Sequence, residues 1–440
     1  MDMGRKEVRL AAAIEKDPIG ECNKIQKKYI PSLMEWFSQT ADPRDQRYIT
    51  YSNTVMLSQM YYKGIAGITS MQGMTEAFNT DAAGNNIYGF LREEPKEYLP
   101  HHVTENEYLE RLDPAEVRKI LHKMAYEQIR RKTFNGAKFN KEWIVIVDGT
   151  QGYSGSRKIN DACLERRHKK GTDEETVNYH NDILEAKIYF GGDLVLSFGS
   201  EFIENEEGWA ELSEGKRKQD CETKAFKRLA KNLKSLFPRL PIVLLIDSLY
   251  ASEPVMEICE QNGWDYIIRY KTGSIPSIAE EYEAIPEKGT AGHAEFVNEI
   301  DYNGRKVNML RFYEIKVVNG EEVRTDFQWL TSITITEKNA EKMASIGRLR
   351  WKIENQGFNR QKNWNGDITH ACSWNMNALK NHYLMQQISD FVRQLYERFY
   401  LGKNRIVKTF KKISSDLLYA LTKQQPELED IDTAEAAAFC

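Results

Sequence analysis

Two short, uninterrupted runs of apolar β-forming residues most constrain how this chain of 440 residues can fold. The run Trp143–Val147 is followed directly by Asp148, and the run Pro241–Ile246 is followed directly by Asp247. Runs that lack alternating polar residues are typical of strands that are buried on both faces of a sheet. Because such strands need helices on both sides, the two runs predict the core of an α/β fold.

The segments around these runs predict the rest of the architecture. A hairpin pattern over 184–198 and a helical pattern over 221–237 lie between the two runs. Short β-type stretches separated by turn residues fill 266–335, and helical spacing returns from Asn339. We therefore predict five parts: a helical N-terminal region (1–135), the first part of the core (136–260), a β-rich insertion (261–335), the second part of the core with its helices (336–400), and a basic segment with an acidic tail (401–440).

Composition excludes several classes of protein. The 48 aromatic residues (8 Trp, 22 Tyr and 18 Phe) exclude a disordered chain, and no apolar run approaches the length of a membrane span. The N-terminal residues lack the apolar stretch of a signal peptide, and six scattered cysteines include no Cys-x-x-Cys pair. We expect a cytoplasmic protein with reduced thiols and without a membrane partner.

Charge is distributed unevenly along the chain, although the net charge is only −4. Residues 338–412 carry 15 Lys and Arg against 5 Asp and Glu, a net charge of +10, whereas residues 413–440 have a net charge of −5. The basic segment is either the footprint of a polyanionic partner or a solvated helix surface, and its charge alone leaves the two interpretations equal.

The two aspartates that follow the apolar runs form a candidate active site with a glutamate on a late helix. If the two strands are parallel neighbours, the side chains of Asp148 and Asp247 converge, and Glu354 completes the set from a helix packed across the sheet. Three clustered carboxylates repel one another unless cations lie between them, and Mg²⁺ is the hard cation that best suits oxygen ligands. Two ions about 3.5–4 Å apart fit in-line phosphoryl displacement, and Mn²⁺ is an alternative ion. Each acid alone is more often a cap or a solvated residue.

Several basic residues lie close to Glu354 in the sequence. Arg348, Arg350, Arg360 and Lys362 lie within eight residues of it, and Arg350 shares its helix face. This pattern indicates either a weak intrahelical ion pair or a metal ligand flanked by side chains that bind DNA phosphates.

These motifs together resemble the DDE transposases of bacterial insertion sequences. The motif Arg350-Trp351-x-Ile353-Glu354, followed by Lys362, is similar to the catalytic helix of the insertion-sequence-four-like branch, which has a Tyr-Arg-Glu-Lys signature and a β-rich insertion. The motifs at Asp148-Gly149-Thr150-Gln151 and Asp247-Ser248-Leu249-Tyr250-Ala251 resemble the two aspartate motifs of that family. This chain departs from the signature of that branch at two positions. Gly347 replaces the tyrosine, and Lys362 lies one residue late, which residues 355–358 could accommodate.

The resemblance implies an RNase H-like mixed sheet flanked by helices, with catalytic, metal-binding residues Asp148, Asp247 and Glu354. It implies Mg²⁺-dependent cleavage of double-stranded DNA at terminal inverted repeats, which the helical region 1–135 would bind, and strand transfer into target DNA. It also implies a homodimer in the synaptic complex and a cytoplasmic, nucleoid-associated protein of bacteria. A further implication is an aromatic residue that holds a flipped base. Trp329 is the first candidate and Phe327 the second, and the alternative is that Trp329 is a core residue. Two other functions stay open: a domesticated DNA-binding protein without activity, and a general RNase H-like nuclease.

Overall fold

The computed structural model describes residues 17–206, 208–213 and 218–423, which form two compact units. The first unit combines residues 17–124 with 360–423, and the second unit is built from residues 125–359. The chain thus leaves the first unit and later returns to it. The division into five parts stays a prediction. The predicted acidic tail, which begins at Glu427, lies outside the described residues.

The first unit is helical. Its N-terminal helices are α1 (Pro18–Tyr29), α2 (Leu33–Ser38), α3 (Asn53–Ile65), α4 (Met71–Phe78), α5 (Asp81–Leu91), α6 (His102–Arg111) and α7 (Pro114–Ile129), the last of which continues into the second unit. The second unit contributes α8 (Glu222–Leu236), α9 (Glu253–Asn262), α10 (Pro276–Ala284) and α11 (Ala340–Arg348). The chain then returns through α12 (Asn359–Asn363), α13 (Met376–Tyr396) and α14 (Phe410–Thr422).

Helix α13 forms the centre of the first unit. It packs against α1, α3 and α6, and most of its residues are buried. The side chain of Asn375 caps its N-terminus by accepting hydrogen bonds from the backbone N–H groups of Asn377 and Ala378. A helix that is enclosed on so many sides must place polar side chains inside the unit, and these side chains then need partners.

Ion pairs satisfy several buried charges of this unit. Arg360 is 2% exposed, and its guanidinium lies 3.2 Å from the Asp390 carboxylate and 2.8 Å from the Glu397 carboxylate. Arg393, which is fully buried, also pairs with Glu397 at 3.2 Å. Because its guanidinium is enclosed and shared between two acids, Arg360 has no accessible surface for a DNA phosphate. This burial disfavours the prediction that Arg360 binds DNA, and its position in the sequence could not reveal that burial.

A mixed sheet forms the second unit. Its strands are β1 (Trp143–Gly155), β2 (Leu164–His168), β3 (Thr176–Tyr189), β4 (Val195–Ile203), β5 (Ile242–Ile246), β6 (Asp265–Arg269), β7 (Gly289–Ala291), β8 (Ala294–Tyr302), β9 (Arg305–Val318) and β10 (Glu321–Thr331). In the described residues the order is β2-β3-β1-β5-β6-β10-β9-β8-β7, and β4 also pairs with β3. The pairs β1–β5 and β5–β6 are parallel and the others are antiparallel.

This architecture confirms the predicted mixed α/β sheet, which is flanked by helices and preceded and followed by helical regions. Helix α8 packs on β3 and β4, whereas α11 contacts β6, β8 and β9. The strands of the predicted β-rich region, 261–335, belong to the same sheet as the core strands. Strand β6 pairs with β5, and β10 pairs with β6, so this region extends the core sheet. No helix in the described ranges is long and apolar enough to cross a membrane.

Trp329 is a core residue of this sheet. It is 2% exposed, and its ring stacks on that of Phe327 with centroids 5.8 Å apart. A Cβ atom at Gly347 in α11 would lie 2.6 Å from the indole nitrogen, so the indole occupies the space of a side chain at that position. This burial favours the core alternative for Trp329, whose role in holding a flipped base stays a prediction. The same contact leaves no space for a larger side chain at position 347.

We expect Gly347→Ala to destabilise the protein by about 1–3 kcal/mol, because the added methyl group overlaps a buried indole that cannot move freely. The measurement is the midpoint of thermal unfolding. Gly84→Ala in α5 is the matched control, since nothing lies near its added Cβ and helix propensity should raise stability by about 0.5–1 kcal/mol. Equal effects of the two substitutions would contradict the proposed packing.

We expect Arg360→Met to destabilise the protein by about 3–5 kcal/mol, because it leaves a buried carboxylate without its cation. Arg398→Met removes an exposed cation from a nearby helical turn and should change stability by less than about 0.5 kcal/mol. Urea denaturation measures both variants. Unchanged stability of Arg360→Met, together with weaker DNA binding, would restore a DNA-binding role for this arginine.

Candidate active site

Parallel pairing of β1 with β5 places the two predicted aspartates side by side. Ile146 is the register partner of Leu245, so Asp148 and Asp247, each two residues further on, lie at the same level of the sheet. Asp247 follows the last residue of β5, as predicted. Asp148 lies inside β1 rather than at its end, because β1 continues to Gly155 by pairing with β3. The predicted strand end at Asp148 is therefore wrong.

The guanidinium of Arg350 interacts with both carboxylates. Nη1 of Arg350 lies 2.7 Å from Oδ2 of Asp148, and Nε of the same guanidinium lies 3.9 Å from Oδ1 of Asp247. Arg350 and Asp148 are about one-fifth exposed. At this exposure the ion pairs are stronger than those of a solvated surface, since fewer water molecules screen the charges. The two aspartates thus face a common position that favours positive charge.

The surroundings of Asp148 disfavour its ionised form. Burial raises its pKa above the ordinary value, and the negative charges of Asp247 and Glu354 raise it further. The guanidinium of Arg350 and the backbone N–H of Gly149 oppose this shift by stabilising the carboxylate. The effect of Glu354 on this pKa means that the third predicted acid lies close enough to interact with Asp148.

Glu354 belongs to a π-helix, Ile353–Phe358, that packs against β1 and β4. In a π-helix each backbone hydrogen bond spans one more residue than in an α-helix, so the segment holds an extra residue, and such segments are frequent at functional sites. The extra residue lies between Glu354 and Lys362, where the one-residue shift of the signature was expected. Lys362 itself lies in α12.

Arg348 lies at the C-terminal end of α11. Its guanidinium forms an ion pair with Glu314 of β9 and lies 4.8 Å from the centre of the Phe327 ring. The guanidinium of Arg269 lies over the same ring at 5.3 Å. Burial lowers the pKa of Arg269, and the charge of Arg350 lowers it further, whereas that of Asp247 opposes the shift. These contacts bring the guanidinium groups of Arg348 and Arg269 together over the half-buried ring of Phe327 in β10.

A fourth acid, Glu222, adjoins the aspartates and was missed as a site residue. Glu222 is the first residue of α8, and Oε2 of its carboxylate accepts a hydrogen bond of 2.9 Å from the hydroxyl of Tyr250. Burial raises the pKa of Glu222, and the charges of Asp148, Asp182 and Asp247 contribute to the same shift. Its sequence position offered one signal, because an acid in the first turn of a helix is a local pattern, but that pattern usually indicates capping.

The donor set suits a hard divalent cation. All four acids offer carboxylate oxygens, and Asp148 and Asp247 already share a positively charged partner. In the described part of the chain, however, no group of three or more Asp, Glu, His or Cys side chains has the spacing of a formed metal centre. Asp148, Asp247 and Glu354 therefore stay the predicted ligands of such an ion.

Comparison with known proteins identifies part of this region. Residues 218–385 match the family described as the transposase DDE domain, a stretch that includes Asp247 and Glu354 but begins after Asp148. No curated protein matches the chain. One solved structure, a cryo-EM structure of the piggyBac transposase synaptic complex with hairpin DNA, is 12% identical with a TM-score of 0.42, and the match covers 96% of this chain and 84% of that one. That overlap is too low to assign a fold. The family match supports a transposase-type domain over residues 218–385.

Proposed function

We propose that this chain is a DDE transposase of the bacterial insertion-sequence-four-like branch, with an RNase H-like core, that cleaves DNA at transposon ends and joins them to target DNA. The observation that carries this proposal is the pair of aspartates on adjacent parallel strands, with one guanidinium between them and Glu354 within electrostatic range. The match of residues 218–385 to a transposase DDE domain supports the same function.

Asp148, Asp247 and Glu354 are the proposed ligands of Mg²⁺, with Mn²⁺ able to substitute. Two such ions supply an activated hydroxyl nucleophile and stabilise the leaving oxygen of a phosphodiester. The protein's contribution is to hold the carboxylates at fixed positions on the sheet. The raised pKa of Asp148 shows that its negative charge is destabilised in the protein alone, so a cation bound there gains affinity from relieving that repulsion.

Arg350, Arg348 and Lys362 are the proposed DNA contacts. The guanidinium of Arg350 is held beside the aspartates by its ion pairs, so it lies where a scissile phosphate must approach. Planar guanidinium groups bind phosphate oxygens through two hydrogen bonds, which would orient the DNA backbone over the carboxylates. Arg348 can exchange its partner Glu314 for a phosphate, because the pair is partly exposed.

The basic segment 338–412 provides a wider surface for DNA. Two of its cations, Arg360 and Arg393, are buried, but they pair with two acids of the same segment, Asp390 and Glu397. Removing these four residues leaves the net charge of the segment at +10, so burial does not weaken the argument for a polyanionic partner. We assign recognition of the terminal inverted repeats to the helical region 1–135, and we propose that a homodimer brings two ends together.

A cleavage assay tests the proposed function. Labelled duplexes carrying inverted repeats that flank the coding region should be nicked in Mg²⁺ or Mn²⁺, whereas unrelated duplexes should stay intact. Asp148→Asn, Asp247→Asn and Glu354→Gln should each lower the rate on the order of a thousandfold or more, because each removes one ligand of a cooperating set. Asp173→Asn, which changes an exposed aspartate, is the matched control and should cleave normally.

Other results would identify a different function. Specific binding of the repeats by the unmutated chain, without any cleavage in either ion, would indicate a domesticated DNA-binding protein. Equal cleavage of repeats and unrelated duplexes would indicate a general nuclease. Full activity of Asp148→Asn would show that these carboxylates are not the catalytic residues.

A further inference from the structure

A β-bulge in strand β4 brings two serine side chains to one buried carboxylate. Glu185 of β3 pairs with Ser200, whereas Lys187, two residues further on, pairs with Ser197, three residues back along β4. Residues three apart in a regular strand face opposite sides of a sheet, but this bulge turns both serines towards Glu185. Their hydroxyls donate hydrogen bonds of 2.5 and 2.6 Å to its two carboxylate oxygens. Glu185, which is fully buried, is therefore held at a fixed position.

This carboxylate lies on the sheet face that carries Asp148. Glu185 is the direct partner of Asp148 across the antiparallel pair β1–β3, and directly opposed residues share a face. Lys187 follows two residues later on the same face and is also fully buried. Buried charges of opposite sign are often less stabilising than apolar side chains of similar volume. The two charges therefore indicate a role beyond filling the core.

Lys187 lies against the π-helix that carries Glu354. That π-helix contacts β1 and β4, so it crosses β3, which lies between these two strands in the sheet. A Cβ atom built on Gly357 would lie 3.0 Å from Cε and 3.8 Å from Nζ of Lys187. Gly357 is a buried residue of the π-helix. The lysine side chain is therefore enclosed between β3 and the backbone of the π-helix.

A second contact connects the same segment to the β3–β4 hairpin. Lys352, which directly precedes the π-helix, forms an ion pair with Asp193 in the turn between β3 and β4. Asp193 is exposed, so solvent weakens this pair. Glu354 lies between Lys352 and Gly357 in the chain. Its backbone is thus held against the hairpin from both sides, and the contact with Lys187 is the buried one.

We propose that Lys187 is a positioning residue, which sets the distance of the π-helix from the sheet and so places Glu354 beside Asp148. The fixed negative charge of Glu185 keeps the lysine cation at this buried position. Because it is fully buried, Lys187 has no surface for DNA and acts only through Glu354. This inference rests on the proposed function, since it assigns Lys187 to the geometry of the same active site.

Hydrogen exchange of the full chain, measured by mass spectrometry without metal or DNA, tests the contact. In Lys187→Met, the backbone amides of residues 350–359 should exchange about tenfold faster, because the π-helix loses its buried contact, while β1 and β5 keep their rates. Gly357→Ala keeps both charges but presses on Lys187, so it should act in the same direction. Ile188→Val is the matched control, because Ile188 is fully buried and faces the other side of β3.

Cleavage of duplexes that carry the inverted repeats, in Mn²⁺, tests the consequence for activity. Lys187→Met should lower kcat about 10- to 100-fold at an unchanged KM, because misplacing a catalytic group by about 1 Å costs up to about a hundredfold in rate. A lysine that only stabilised the fold would leave both constants unchanged at a temperature where the variant is folded. Ile188→Val should also leave both unchanged.

The two measurements separate the failure of this inference from the failure of the proposed function. Faster exchange confined to residues 350–359, with a lower kcat at an unchanged KM, supports the inference. Unchanged exchange in that segment, or an unchanged kcat, overturns it. If Lys187→Met does not fold, Gly357→Ala decides by the same two criteria. If the unmutated chain cleaves no repeats, the proposed function is wrong, and the catalytic role of Lys187 is overturned with it even where exchange confirms the contact.

Discussion

The register of the parallel pair β1–β5 is the constraint on which the candidate site depends. Because Ile146 pairs with Leu245, the aspartates two residues further on are placed at the same level on neighbouring strands. A slip of one residue would turn one of the two carboxylates to the opposite face of the sheet. The fully buried residues of both strands oppose such a slip, since it would also move the core side chains out of their packing positions.

Negative charge at the candidate active site is unfavourable, and nearby residues compensate for part of it. Asp148, Asp247, Glu222 and Glu354 concentrate negative charge, and Arg350 is the cation that the described structure places between the two aspartates. Sites that bind cations and act on phosphates commonly have such perturbed acids. The buried ion pairs of Arg360 and Arg393 show the contrasting solution, in which each acid has a fixed basic partner and no ligand is needed.

Local sequence patterns predicted the strands and helices around the site but not the surroundings of individual side chains. The apolar runs before Asp148 and Asp247 are strands, and the shifted position of Lys362 coincides with a π-helix that holds an extra residue. Trp329 and Arg360 were assigned to DNA from their residue types, yet both are buried. Their burial depends on α11 and α13, which lie elsewhere in the chain and which no local pattern connects to them.

The sequence by itself determined the order of the secondary structure, the acids that follow the two apolar runs and the basic segment, because apolar periodicity and residue type are local properties. The tertiary structure alone decided that β1 continues past Asp148, that Gly149 admits the Glu222 carboxylate, and that Trp329 fills the space beside Gly347. These features are distances between residues far apart in the chain. They are fixed by close packing and by the exclusion of overlapping atoms, which act only after the sheet and its helices have come together.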